Sequence, residues 1–248
     1  MRAPLAAALV DVGGTLWPNS WPLRANDTED RVARVRAALS HDASDRAARL
    51  VADMIAQSRF SEAADAATKA RAVGEADVVV RKCLEEHAIG ATADMVAKVR
   101  RAMALPVVDR FPPLPGAVEL LAAIKELGLT CVIASNTYWR DASGYRQDFE
   151  AMGMGGSIDA IVTSVDAGYM KPHPALFELA MKTVGTSPVR CVMIGNKEDN
   201  DILPAAALGM RTILVHPDDP APASSKADAV APDLWKCADA LRVMLGQA

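Results

Sequence analysis

The sequence predicts an α/β protein in which a parallel sheet carries a large helical insertion. Short apolar runs alternate with helical patterns near both ends of the chain, and the long segment between them has no strand pattern. Polar motifs also follow the ends of several apolar runs. Runs of about four to eight apolar residues that are bounded by turns are typical of strands buried in a parallel sheet.

The predicted strands are residues 5–11, 129–135, 160–164, 190–195 and 211–216. The candidate helices between them are Gly116–Leu127, Pro174–Val184 and Ala205–Leu208. Strands that alternate with helices along the chain favour parallel pairing with helical crossovers, because each crossover needs room to return to the same edge of the sheet.

The segment from residue 18 to residue 110 shows helical periodicity and is rich in Ala, Arg, Asp and Glu. We therefore expect an α/β core built from residues 1–17 and 111–248, with residues 18–110 forming an all-helical cap. The insertion leaves the sheet after the first strand. Since ligands of open parallel sheets bind at the carboxyl ends of strands, the cap is expected to overhang the site.

Composition limits the classes of partner. The chain has 248 residues, a formal net charge of −4 and no clear signal-peptide cleavage site. This charge argues against broad nucleic-acid binding, and no run approaches the roughly 20 apolar residues of a membrane span. The four cysteines lack metal-binding spacing, which favours buried thiols in a reducing cytoplasm. A cytoplasmic protein is expected, and the sequence leaves its oligomeric state open.

Two motifs at strand ends could contact a substrate. Asp11 comes directly after the first predicted strand and is followed by Gly13 and Gly14, so its carboxylate could face a ligand lying against backbone. Ser135 and Asn136 end the second strand. A hydroxyl and backbone N–H groups at such a point could hold an oxyanion, although these residues also begin ordinary loops.

Two further motifs carry charge. Lys171 follows the third strand within MKPHP and could neutralise an anion. Clustered acids and amides at residues 195–201 follow the fourth strand, and their oxygens could bind a cation. Trp17 and Arg24 lie where the insertion begins. They could wall a pocket and hold an anionic substrate, or they could serve as linker packing and surface charge.

The order and strand context of these motifs resemble the haloacid dehalogenase (HAD) superfamily. The matching segments are DVGGTLW, ASN, MKPHP and GNKEDND, followed by LPAAALGMRTILV. The resemblance covers the core, and it implies a Rossmann-like sheet with strand order 5-4-1-2-3.

The same resemblance implies residue roles. Asp11 would be the nucleophile and would form a covalent intermediate. Ser135 and Lys171 would bind the transferring group. Mg²⁺ would be held by Asp11, by the backbone carbonyl of Gly13, and by the fourth motif through Asn196 and Asp201.

Two positions depart from the phosphatases of this superfamily. Gly13 stands where they carry a second Asp that acts as general acid and base, a contribution of roughly 10²–10⁴-fold in rate. Asn196 stands where they usually carry Asp. The first change predicts slow hydrolysis of poor leaving groups, and the second predicts a weakened Mg²⁺ site.

The favoured function is a HAD-like hydrolase that acts on a small phosphorylated metabolite with Mg²⁺. One alternative is a metal-independent, dehalogenase-type hydrolase, because a haloacid brings a single negative charge that Lys171 could balance. The other is a catalytically impaired binding protein on the same fold, because Gly13 and Asn196 each remove a carboxylate.

Overall fold

A six-stranded parallel sheet forms the centre of the molecule. The computed structural model describes residues 3–18, 25–39, 41–64, 74–108, 110–217 and 224–247. The strands are β1 (Ala7–Val10), β2 (Thr130–Ser135), β3 (Ala160–Thr163), β4 (Cys191–Gly195), β5 (Arg211–Val215) and β6 (Ala229–Ala231). Their spatial order is β3-β2-β1-β4-β5-β6. The implied order 5-4-1-2-3 is therefore confirmed, with the short strand β6 added beyond β5.

The helices among the described residues divide into two groups along the chain. They are α1 (Asp27–Ala38), α2 (Ala47–Ala64), α3 (Gly74–Glu86), α4 (Ala93–Met103), α5 (Ala117–Glu126), α6 (Ala142–Ala151), α7 (Ser164–Ala167), α8 (Pro174–Thr183), α9 (Leu203–Ala207) and α10 (Leu234–Leu245). The first four follow β1 and precede β2, and the rest alternate with the strands or follow them. None of the helices in the described part of the chain is both long and apolar enough to cross a bilayer.

Both faces of the sheet are covered, which explains why its central strands are continuously apolar. Alternate strand residues such as Val10 and Ile133 pack in one core with α5, α6 and α10. The residues between them, such as Leu9 and Val132, pack in a second core with α8 and α9. Each face thus receives every second side chain, as the period of a strand requires.

The helices between β1 and β2 have a hydrophobic core of their own. Its buried members run from Val35 to Met103, and all lie in the segment between those two strands. Thr92 caps the start of α4, and its side chain accepts a hydrogen bond of 3.2 Å from the N–H of Met95. The regular secondary structure within described residues 25–108 is entirely helical, as the periodicity predicts.

Parallel pairing brings the ends of β1, β2 and β4 to one edge of the sheet. Val10 pairs with Ile133 of β2 and with Ile194 of β4. The ends of these three strands are therefore neighbours, and they carry Asp11, Ser135 and the loop after Gly195.

Candidate active site

Asp11 lies directly beyond β1, where the chain leaves the sheet. Its N–H donates to the carbonyl of Ile194 at 2.9 Å, and its side chain is buried. Gly14 has a φ of +78°, which glycine adopts at little cost, and its N–H donates to the carbonyl of Trp17. This turn brings the hydroxyl of Thr15 to 3.4 Å from Asp11 Oδ2. The turn therefore holds the Asp11 carboxylate at the edge of the sheet.

Lys171 belongs to the third motif and contacts each of the other three. Its Nζ donates to Asp11 Oδ1 at 2.6 Å, to Asp201 Oδ1 at 2.6 Å and to the carbonyl of Ala134 at 2.8 Å. An ammonium group has three hydrogens to donate, so this arrangement uses all of them. Lys171 consequently orients both carboxylates, and it must exchange one of these bonds before it can donate to a substrate.

This ion-pair cluster carries one more negative charge than positive when both acids are ionised. Burial alone would lower the pKa of Lys171, but the charges of Asp11 and Asp201 outweigh it and the pKa is raised. Burial, assisted by the charge of Asp11, raises the pKa of Asp201 to about 6 despite the nearby ammonium. Lys171 is therefore held as a cation between two carboxylates that compete for its charge.

Asp201 is fixed by close packing against Gly195, the last residue of β4. A Cβ on Gly195 would lie 2.5 Å from Asp201 Cγ, so any side chain there would collide with the carboxylate. The N–H of Lys197 donates to Asp201 Oδ2 at 3.0 Å. The glycine of the fourth motif thus provides the room that lets Asp201 reach Lys171.

The other acids of the fourth motif lie elsewhere. Glu198 accepts hydrogen bonds of 2.7 Å from the hydroxyl of Ser225 and from the N–H of Lys226. Asp199 is exposed. Glu198 therefore fastens the loop to the segment before β6, and Asp201 is the acid of this loop that reaches the ion-pair cluster.

The second motif positions the third. The Asn136 side chain donates to the carbonyl of Lys171 at 2.9 Å and accepts from its N–H at 2.7 Å. Ser135 Oγ lies 3.3 Å from the hydroxyl of Tyr145 on α6. Asn136 therefore holds the backbone of Lys171, whereas Ser135 keeps its hydroxyl at the end of β2.

Asn196 stands out because its buried amide is unsatisfied. Within the described residues, neither its side-chain oxygen nor its nitrogen has a hydrogen-bond partner. Leaving such a group unpaired costs about 1–3 kcal/mol. The amide is thus available for a ligand or an ion.

A cavity of about 230 Å³ brings the predicted residues together. The predicted residues that line it are Asp11, Gly13, Ser135, Asn136, Lys171, Asn196 and Asp201. Gly14 shapes the turn beneath it. Lys197 and Asn200 also line the cavity; we did not single them out from the sequence, although both belong to the GNKEDND motif.

Trp17 and Arg24 were also predicted to contact the substrate. Trp17 is 4% exposed and stacks against Tyr145 and Phe149, with ring centroids 5.5 and 4.9 Å away. The structure therefore places Trp17 in the hydrophobic core rather than on the cavity wall, because its large apolar ring fills the space beneath α6. Arg24 lies outside the described residues.

A second cavity, of about 250 Å³, lies between α4 and α6. Arg101 and Asp141 are among its lining residues, and none of the residues predicted for catalysis, substrate binding or metal binding is among those described there. The chemistry of the motifs therefore places the candidate active site in the first cavity.

Comparisons with known proteins identify a family for this chain. Residues 5–209 match the model of the haloacid dehalogenase-like hydrolase family. The chain is 33% identical over 108 residues to glyceraldehyde 3-phosphate phosphatase of Methanothermobacter thermautotrophicus, covering 42% of this chain and 45% of that protein. It is 27% identical over 115 residues to phosphoserine phosphatase of Thermus thermophilus, covering 45% of each. The chain thus spans about half the length of the curated relatives it matches.

Solved structures show the same fold over nearly the whole chain. The 2-haloacid dehalogenase of Pseudomonas syringae pv. Tomato superposes with a TM-score of 0.62 at 19% identity, covering 97% of this chain and 99% of that one. A HAD phosphatase of Thermococcus onnurineus gives a TM-score of 0.55 at 17% identity, covering 98% and 99%. With the family match across most of its length, the chain belongs to the haloacid dehalogenase-like hydrolases.

Proposed function

We propose that this protein is a Mg²⁺-dependent phosphatase of small phosphorylated metabolites with Asp11 as its nucleophile. The observation that carries the proposal is the ion-pair cluster of Asp11, Lys171 and Asp201 at the floor of the first cavity. Asp11 is a buried carboxylate at a strand end, held by a cation and open to a cavity. A carboxylate held in this way can act as a nucleophile that forms a covalent intermediate.

The proposed reaction has two displacements. An Asp11 carboxylate oxygen attacks phosphorus, and the bond from phosphorus to the leaving-group oxygen breaks with its electron pair going to that oxygen. The oxygen of a water molecule then bonds to phosphorus, and the bond from phosphorus to the Asp11 oxygen breaks with its electron pair returning to the carboxylate. The water loses a proton to solvent, and inorganic phosphate is released. In this reaction Ser135 and Lys171 would stabilise the transferring group, after Lys171 exchanges one of its present bonds.

The residues at the cavity fit Mg²⁺, which prefers oxygen ligands and keeps several waters. The unsatisfied oxygen of Asn196 lies with the Asp11 and Asp201 carboxylates and with Gly13 around one cavity. No group of three or more His, Cys, Asp or Glu side chains within the described ranges is arranged to hold a metal, so an ion would depend on the Asn196 amide and the Gly13 carbonyl. When bound, Mg²⁺ would offset the charge of the phosphate oxygens.

A small substrate is supported by the size of the cavity and by the relatives. The volume of about 230 Å³ is below the roughly 300–1,000 Å³ typical of sites for drug-sized ligands. The relatives named above are phosphatases of glyceraldehyde 3-phosphate and of phosphoserine. We propose that the substrate of this chain also belongs to the class of small phosphorylated compounds, and we do not choose between those two substrates.

We further propose that residues 18–110 act as a cap over a core formed by residues 1–17 and 111–248. The separate hydrophobic core of the α1–α4 segment supports this division. The four cysteines are all buried and unpaired, which supports a cytoplasmic location.

An activity screen tests the proposed function. Wild-type protein and Asp11→Asn are assayed with a panel of small phosphate esters, each with Mg²⁺ and with a chelator. We expect Mg²⁺-dependent phosphate release by the wild type and none above background by Asp11→Asn, because an amide is a far weaker nucleophile than a carboxylate. Halide release from 2-haloacids that is insensitive to chelator would instead establish the dehalogenase alternative.

A further inference from the structure

A third cavity, of about 560 Å³, lies beside the amino ends of β4, β5 and β6. Among its lining residues, Arg211 and Thr212 begin β5, and Val189 and Asp228 come shortly before β4 and β6. The first cavity lies at the carboxyl ends of the strands, and the two cavities have no described lining residue in common. A molecule bound in the third cavity would therefore leave the first cavity open to substrate.

Arg211 places a buried positive charge at the third cavity. Its side chain lines the cavity although the residue is only 9% exposed. Its Nη1 donates to the carbonyl of Met244 at 2.9 Å and its Nη2 to the carbonyl of Ala3 at 2.6 Å, whereas its Nε has no hydrogen-bond partner. A buried charge normally lies beside an opposite charge, and no carboxylate in the described part of the chain forms an ion pair with Arg211.

The fold compensates the charge of Arg211 only in part. Met244 lies in the last turn of α10, and the carbonyl end of a helix carries about half an elementary negative charge. The carbonyl of Ala3 contributes a single peptide dipole. A guanidinium also has five N–H donors, and the two carbonyls use two of them. Both charge and hydrogen-bonding capacity therefore remain for an anion.

Lys226 adds a second positive charge to the wall of the third cavity. Its side chain is exposed and makes no ion pair with a described residue, and its backbone N–H is held at 2.7 Å by Glu198. Asp228 also lines the cavity, and its Oδ2 accepts from the N–H of Thr212 at 3.0 Å. The charged residues on the described wall are thus two cations and one acid, which favours a ligand with a single negative charge.

The remainder of the wall indicates that the ligand is organic. Val189, Ala206 and Met210 give the cavity an apolar side. Its volume of about 560 Å³ lies within the roughly 300–1,000 Å³ that is typical of small-molecule sites, and a bare inorganic ion would leave most of it empty. A ligand that fills the space needs an apolar body as well as an acidic group.

We propose that the third cavity binds an organic monoanion, with one acidic group on an apolar body. The acidic group lies at Arg211 and Lys226, because planar anions such as carboxylates accept hydrogen bonds well from a guanidinium. The apolar body packs against Val189, Ala206 and Met210. This site is separate from the proposed phosphatase site and does not depend on it.

Fluorescence titration with 8-anilinonaphthalene-1-sulfonate tests the proposal, because this probe carries one sulfonate on an apolar body and brightens in apolar surroundings. We expect saturable binding of one molecule per protein. Two variants on α9 locate the probe. Ala206→Phe adds a ring at an exposed position that lines the third cavity, and Ala207→Phe adds the same ring at an exposed position that does not.

Ala206→Phe is expected to weaken probe binding at least about tenfold, because the ring takes up space that the probe needs. Ala207→Phe is expected to leave the affinity unchanged. Thermal unfolding confirms that both variants are folded. Equal affinities in the two folded variants, or no saturable binding by the wild type, would overturn the proposal.

A second pair of variants tests the contribution of charge. Lys226→Met is expected to weaken binding of the same probe about two- to fivefold, the range for an exposed ion pair, and Lys226→Arg is expected to retain the wild-type affinity. Because Lys226 is exposed and the backbone bond to Glu198 is kept, both variants should fold. Equal affinities of the Met and Arg variants would show that the cavity does not select an anion, and the proposal would be wrong.

Discussion

Lys171 is the residue on which the geometry of the candidate active site depends most. It is 4% exposed and balances two carboxylates that are themselves buried. Removing one partner from a buried ion pair leaves an uncompensated charge, which is far costlier than the net stabilisation the pair provides. Here the loss of the Lys171 ammonium group would leave the buried carboxylates of Asp11 and Asp201 without a compensating positive charge.

We therefore predict that Lys171→Met lowers the free energy of unfolding by about 3–5 kcal/mol. Urea denaturation at neutral pH measures the change. Lys182→Met, at an exposed position near the end of α8, is the matched control and should change stability little. Adding Asp201→Asn to Lys171→Met should recover part of the loss, because it removes one stranded charge. A loss below about 1 kcal/mol would show that the cluster is not electrostatically coupled.

Tyr145 is a second residue whose role is visible only in three dimensions. Its hydroxyl lies 3.3 Å from Ser135 Oγ, and its ring packs against the rings of Trp17 and Phe149. Burial raises the pKa of Tyr145, so the phenol keeps its proton. A protonated Tyr145 can donate to Ser135, which leaves the Ser135 hydrogen free to bond the Asn136 carbonyl 3.5 Å away or a ligand in the cavity.

We predict that Tyr145→Phe raises the KM for a phosphate ester with little change in kcat. A lost neutral hydrogen bond is worth about 0.5–1.5 kcal/mol, or roughly two- to tenfold in KM. In a Ser135→Ala background the same change should have no further effect, because the hydroxyl that it orients is gone. Tyr169→Phe, at an exposed position, is the control. Equal effects of Tyr145→Phe in both backgrounds would mean that Tyr145 acts through packing alone.

At the scale of the elements, Asp141 connects α4 with the loop that follows the second motif. It caps α6 by accepting from the N–H of Gly144 at 3.0 Å. It also accepts from Arg100 Nη2 at 3.1 Å and from Arg101 Nε at 2.8 Å. One carboxylate therefore fastens the end of the helical segment to the core near Ser135 and Asn136.

The pH dependence of stability should report this contact. Burial opposes ionisation of Asp141, but the hydrogen bonds from Arg101, Gly144 and Ser143 outweigh it, and the pKa is held well below its ordinary value. A depressed pKa means that the unfolded chain binds the proton more readily than the folded chain. The stabilisation is therefore complete at neutral pH and declines as the pH falls below about 4.

Asp141→Asn tests this reasoning, because asparagine keeps the helix cap and removes the charge. We expect a loss of about 3 kcal/mol at pH 7 from the broken ion pairs. The difference between wild type and variant should shrink as the pH falls below about 4, as measured by denaturant titrations across that range. A difference that is independent of pH would assign the effect to packing instead of charge.

The elements also show where sequence reasoning succeeded. The structure confirms the predicted strands and the helical character of the segment between β1 and β2. These predictions succeeded because the two patterns differ clearly: continuous apolar runs mark buried strands, and apolar residues spaced three to four apart mark helices. We missed α6, α7, β6 and α10. The three-residue β6 is too short for a pattern, and α6 carries its apolar face on few residues, among them Tyr145 and Phe149.

At the scale of the whole molecule, topology explains which site residues could be predicted. Asp11, Ser135 and Asp201 follow strands whose ends meet at one edge, so strand order alone brings them together. Trp17 shows the limit of this reasoning. Its place beside Asp11 in the sequence indicates proximity, but the direction of its side chain depends on how α6 packs. The pairing of Tyr145 with Ser135 was likewise hidden, since it joins a helix to a strand across the core.

Trapping the covalent intermediate tests the central claim, that Asp11 is a phosphorylated nucleophile, most directly. Protein that is reacting with 4-nitrophenyl phosphate and Mg²⁺ is reduced with borohydride, which converts an aspartyl phosphate to homoserine, and is then digested and sequenced by mass spectrometry. The account predicts homoserine at position 11 in the wild type and at no other aspartate. Turnover with an unmodified Asp11, or with homoserine at Asp201 or elsewhere, would contradict it.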